Sequence, residues 1–123
     1  VDVRLLVPRM SDSRLVTSAA RSYFDELMQA GVRIWEYHGR MLHSKTIVVD
    51  HHYSMIGTAN FDSRSFRLNF EVCIAAYGPR LAELLSDQFE CDLACAERVP
   101  FNRHIGLPQK MFEATARLFS PLL

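Results

Sequence analysis

The sequence predicts an α/β protein, a mixed β-sheet flanked by helices, and three observations lead there. Two strand-like runs, 1–7 and 32–38, are separated by a long stretch with one apolar helical face. A helical crossover of this kind favours parallel strands whose faces are covered by helices. Three more short apolar runs then follow in close succession, which makes the sheet mixed rather than purely parallel. At 123 residues the chain fits one domain, 1–123, large enough to bury most of the surface its unfolded form exposes.

The elements follow in order. VDVRLLV (1–7) alternates and is β-branched, and Pro8 stops it. Ser11-Asp12-Ser13 offers N-cap side chains to a helix whose apolar positions are Leu15, Val16, Ala19, Ala20, Tyr23, Phe24, Leu27 and Met28. Gly31 supplies its C-terminal stop. VRIWEYH (32–38) is the second strand, with Trp35 and Tyr37 expected in the core. The third runs from His43 to Val49 and the fourth from Tyr53 to Thr58, joined by Asp50-His51-His52. Residues 57–66 lack periodicity and read as a loop, and 69–77 as a fifth strand. Gly78-Pro79 opens a helix with Leu81, Leu84, Leu85, Phe89 and Leu93 on one face. Residues 99–108 read as a loop and 109–119 as a short helix.

Composition narrows the function. Net charge is zero, which argues against a dedicated nucleic-acid partner. Of 14 basic residues only Lys45 and Lys110 are lysine. Three cysteines are too few for a disulfide framework and suit a reducing compartment. Cys91 and Cys95 have helical i, i+4 spacing and read as helix packing rather than as metal ligands. No apolar run approaches the roughly 20 residues a bilayer span needs. The chain opens on Val1 inside a strand, without an initiator Met, which reads as a segment of a longer protein.

The chemistry concentrates between 43 and 71. On a regular strand His43 and Lys45 share a face and Asp50 falls on the other. A cation holding a phosphate oxygen beside an imidazole that attacks phosphorus or moves a proton is one use of that pair. A solvated strand edge is the commoner one for an isolated H-x-K. Gly57-Thr58-Ala59-Asn60 adds a turn, a hydroxyl and an amide suited to phosphate oxygens. Glu71 opens an apolar strand, where a carboxylate needs a partner; a histidine ring is the obvious one. His51 and His52 read as solvated turn residues rather than as zinc ligands with His43. Arg64 and Arg67 suit a lipid headgroup as well as pairing with Asp62 or Glu71.

H-x-K-x4-D at 43–50 followed by G-T-A-N at 57–60 resembles the HKD motif of the phospholipase D superfamily. The wider run HSKTIVVDHHYSMIGTANFDSRSFRLNFE is similar to the second motif of bacterial cardiolipin synthases, and so are the run SDSRLVTSAARSYFDELMQAGVRIWEY and the ending LFSPLL. The resemblance implies one half of a two-lobed fold whose halves each give one HKD set to a shared site. It makes His43, Lys45, Asp50 and Glu71 the catalytic set, with Lys45, Thr58 and Asn60 on the phosphoryl oxygens and Glu71 holding the catalytic His. Thr58 replaces the usual Ser. It also implies a phosphohistidine intermediate, His43 as general acid and base, and no metal or other cofactor. The partners implied are phosphatidylglycerol and an N-terminal HKD half of the same parent chain, at the inner (cytoplasmic) membrane. The segment alone is then soluble and inactive. The competing expectation is a single-motif phosphodiesterase or nuclease that completes its site by homodimerising.

Overall fold

The computed structural model describes residues 1–11, 13–39, 42–60 and 62–122, with the backbone alone for Ser63, Arg64 and Leu122. The elements run β1 (Arg4–Pro8), α1 (Arg14–Arg21), α2 (Phe24–Gln29), β2 (Arg33–Tyr37), β3 (Thr46–Val49), β4 (Tyr53–Gly57), α3 (Ser63–Arg67), β5 (Cys73–Tyr77), α4 (Pro79–Leu93), β6 (Ala96–Arg98) and α5 (Leu107–Phe119), then a 3-10 turn at Ser120–Leu122. They form two compact units: Val1–Leu42 with Cys95–Leu123, and His43–Ala94. The strands are shared between two three-stranded sheets, β1-β2-β6 and β3-β4-β5, rather than one.

In the first unit β1 and β2 are parallel with Leu6 opposite Trp35, as the helical crossover requires, and β6 joins β2 antiparallel. The expected long helix is broken in two. The Ser22 hydroxyl donates back to the Ala19 carbonyl at 2.6 Å and Tyr23 N–H reaches Ala20 at 3.2 Å, which tightens and ends α1. The Ser13 side chain makes no capping bond, and Asp12 lies outside the described residues. α2 ends in a Schellman motif: Gly31, at φ 94°, donates to Met28, and Val32 donates to Leu27.

The core is Phe24 and Met28 of α2 against Ile34 of β2, with Leu5, Val7, Leu27, Val32 and Val99 around them. Strand parity therefore turns Ile34 inward and Trp35 outward. Trp35 lies not in the core but between the guanidinium groups of Arg33 and Arg98, 6.0 and 5.7 Å from its ring centre. Residues 99–106, featureless in sequence, carry Arg103. It grips Asp25 of α2 through two bonds of 2.9 and 3.0 Å and the buried Glu113 of α5 at 3.2 Å.

In the second unit all pairing is antiparallel, Thr46 opposite Ile56 and Gly57 opposite Cys73. α4 covers β3 and β4, where the small residues Ser54 and Ala82 are completely buried. Across the sheet, Val49, Tyr53 and Tyr77 stand in one row, with the two tyrosine rings 5.2 Å apart and Tyr77 largely exposed. Cys91 and Cys95 are both exposed, which corrects the packing expectation: α4 ends at Leu93, so Cys95 is off the helix. Within the span read as a loop, α3 forms behind Asp62, whose Oδ1 accepts the Ser65 N–H at 2.7 Å.

Candidate active site

His43 and Lys45 precede β3 rather than standing on it. The strand begins at Thr46, and the Lys45 carbonyl accepts the Gly57 N–H at 3.1 Å, one step beyond the last regular pair. Lys45 is half-buried and its ammonium donates to the His43 carbonyl at 2.9 Å, while His43 itself is exposed. The cation is thus tied to the backbone of the histidine two residues away.

Across the hairpin, β4 ends at Gly57. A Cβ there would overlap Cys73 Sγ and the Val72 carbonyl, so only glycine lets the chain lie this close to β5. The approach brings Thr58 onto residues 71 and 72. Thr58 N–H donates to the Val72 carbonyl at 3.0 Å, and Val72 N–H donates to Thr58 Oγ1 at 3.0 Å. The Thr58 hydroxyl donates in turn to Glu71 Oε2 at 2.5 Å, and Asn69 Nδ2 donates to Oε1 at 3.2 Å. A hydroxyl has one proton. With that proton directed to Glu71, Thr58 holds the carboxylate and gives no donor to a phosphate oxygen in this arrangement.

The Glu71 carboxyl is held below the usual carboxylate range first by the Thr58 hydroxyl; loss of hydration opposes this next, and Asn69, Ser65 and the Lys45 charge add to the lowering. Its partners are these, and among the described residues no hydrogen bond joins it to His43. Because the folded value is depressed, the clamp is fully present above the unfolded value and is released as pH falls through the folded one. We expect the Glu71 carboxyl carbon to titrate at higher pH in Thr58→Val than in the parent sequence, measured by carbon-detected NMR. Equal midpoints would show that the hydroxyl does not set the ionisation.

Asn60 is exposed, and its backbone N–H donates to Ser65 Oγ at 3.0 Å. Asp50 sits at the other end of β3 from Lys45, in the hairpin turn. It and His51 have φ 51° and 49°, and His52 N–H closes the turn onto Val49 at 3.1 Å. Asp and His are among the residues that tolerate this conformation. His51 Nδ1 lies 3.0 Å from the Ser86 hydroxyl on α4, and His52 is exposed. Among the described residues, no three His, Cys, Asp or Glu side chains gather as a metal site requires. Arg67 is exposed at the end of α3; the Arg64 side chain is outside the described set.

One second unit, His43–Ala94, therefore holds Lys45, Thr58, Asn60 and Glu71 at the open end of the β3–β4 hairpin and its junction with β5. Ser65 was missed by sequence reasoning. The spacing Asp62-x-x-Ser65, a side-chain cap three residues before a backbone donor, was the signal available.

The family described as cardiolipin synthase, PLD-like domain, matches residues 1–93. A cardiolipin synthase of Alkalihalophilus pseudofirmus is 44% identical over the whole of this chain, and cardiolipin synthase 2 of Bacillus anthracis is 46% identical. The chain spans 25% and 24% of their lengths. Among solved structures, the phospholipase D family member Nuc from Salmonella typhimurium superposes with a TM-score of 0.68 at 21% identity, covering 80% of this chain and 64% of that one. The phosphatidylserine synthase of Haemophilus influenzae gives 0.61 at 15%, covering 98% and 33%. The fold is that of phospholipase D, and this chain belongs to the phospholipase D-like domain family of cardiolipin synthases.

Proposed function

We propose that the chain supplies the second of two H-x-K half-sites in a phosphatidyltransferase that converts two phosphatidylglycerol molecules into cardiolipin and glycerol. The observation that carries this reading is the His43–Lys45 pair, its ammonium bonded to the His43 carbonyl and its charge acting on Glu71, on a chain 44% identical along its full length to a cardiolipin synthase. A histidine of the other half attacks phosphorus, and glycerol leaves as its alkoxide oxygen takes a proton from His43. His43 then accepts the proton of the incoming phosphatidylglycerol hydroxyl as that oxygen displaces the phosphohistidine. Lys45 and the Asn60 amide stabilise the charge on the non-bridging oxygens without a metal. Asp50 serves through the hairpin turn, and Glu71 through the groups it holds. Both compact units act as one phospholipase D-type half, paired with an N-terminal half of the same parent chain. The parent works at the inner (cytoplasmic) membrane, where its lipids reside. Among the described residues no helix is long and apolar enough to cross a membrane.

The test is the complete parent chain on phosphatidylglycerol in detergent micelles under exhaustive chelation. Cardiolipin and glycerol should appear in equal amounts. Phosphatidic acid as the sole lipid product would show a hydrolase instead, and cleavage of nucleic acid without lipid turnover would favour the homodimeric phosphodiesterase. Loss of turnover on chelation, restored by zinc, would overturn the metal-free mechanism.

A further inference from the structure

We propose that Ser65 is a positioning residue of this site, which holds the Asn60 turn in place through one buried hydroxyl; the inference rests on the phosphoryl-transfer reading above. Ser65 is 7% exposed, one of few polar residues buried among those described. A buried hydroxyl is costly unless its bonds are made. Here they are made to the site. The Ser65 oxygen accepts the Asn60 N–H at 3.0 Å, and the Ser65 hydroxyl is among the groups that keep the Glu71 carboxyl below its usual range. The Ser65 backbone is itself fixed, because its N–H donates to Asp62 Oδ1 at 2.7 Å at the start of α3.

The consequence is mechanical. Asn60 is exposed, and the Ser65 oxygen is the acceptor that holds its N–H. α3 therefore acts as a bracket: Asp62 fixes Ser65, and Ser65 fixes the turn that carries the Asn60 amide. A shift of about 1 Å in a phosphoryl-binding group can lower turnover roughly a hundredfold. Losing the Ser65 hydroxyl releases that constraint without removing any phosphoryl-contacting side chain.

The test is a double-mutant cycle between Ser65 and Asn60 in the complete parent enzyme, with cardiolipin formation as the readout. Ser65→Ala alone should lower kcat about 10- to 100-fold, with KM within about threefold. In an Asn60→Ala background the same change should cost less than about threefold, because the group it positions is gone. Ser65→Cys keeps the size of the side chain and a weak hydrogen-bonding group. It should fall between the two, and it replaces Ser65→Ala in the cycle if the alanine variant does not fold. Equal losses in both backgrounds would mean that Ser65 acts through general packing, and would overturn the proposal. So would a Ser65→Ala enzyme within about twofold of the parent. An Asn60→Ala enzyme with unchanged turnover would instead remove the phosphoryl-binding reading itself, and the Ser65 role with it.

Discussion

His43→Ala in the complete parent enzyme should lower turnover by about 10²–10⁴-fold, the range that a positioned acid and base supplies, with no change in thermal unfolding. His43 is exposed, so the loss reads as chemistry rather than folding. The proposed role has a sharper consequence. An acid is dispensable when the leaving group needs no proton, so the variant should still form the phosphoenzyme from a substrate with an activated leaving group. Failure to form it from such a substrate would make His43 the nucleophile and reverse the roles of the two halves. Lys45→Ala should also lower turnover, by about 10²–10³-fold, because a fixed charge on the phosphoryl oxygens is lost. Lys45→Arg should not restore it. The ammonium reaches the His43 carbonyl at 2.9 Å as a compact group, and a planar fork on a longer stem presents its donors elsewhere. An active Lys45→Arg enzyme would show that any cation suffices.

Arg103→Ala should destabilise the protein by about 3–5 kcal/mol, the range for removing one partner of a buried ion pair. Its side chain is 9% exposed and that of Glu113 is 5%, so the variant strands a carboxylate in the interior. The bidentate grip on Asp25 and the contact with the Phe24 ring at 5.5 Å disappear together with it. Adding Glu113→Gln should recover part of the loss, since a neutral amide is cheaper to leave buried. Urea unfolding monitored by circular dichroism measures both. A change below about 1 kcal/mol for Arg103→Ala would mean that Glu113 finds water or another donor, Gln109 at 3.3 Å being nearest.

Arg103 also marks where sequence reading stops. The apolar periodicities at 14–29 and 79–93 revealed their helices, and Gly31 its stop, because burial and backbone sterics leave a repeating trace. An ion-pair hub leaves none: Asp25 and Arg103 are brought together by tertiary packing across 78 positions of chain. The break between α1 and α2 was missed because the apolar face continues across it, and only the Ser22 hydroxyl diverts the backbone. β6 is three residues, Ala-Glu-Arg, recognisable only by its partner β2. At the site, it is the motif resemblance that groups Lys45, Asn60 and Glu71. Which group holds Glu71 depended on how closely β4 approaches β5, a matter of Gly57 and Cys73 rather than of motif letters.

The hairpin turn at Asp50 and His51 makes the motif a ruler. Lys45 and Gly57 meet across the strands, and each step inward along β3 is matched by one step along β4 to the turn. A residue added to one arm alone would slide every pair and turn alternate side chains to the opposite face. Lys45 would then no longer face the strand end that leads into Thr58 and Asn60. The count of residues between the lysine and the asparagine is in this sense an architectural length. The letters inside it can vary as far as a mostly exposed β3 and a partly buried β4 allow, while the length itself cannot change without taking the site apart.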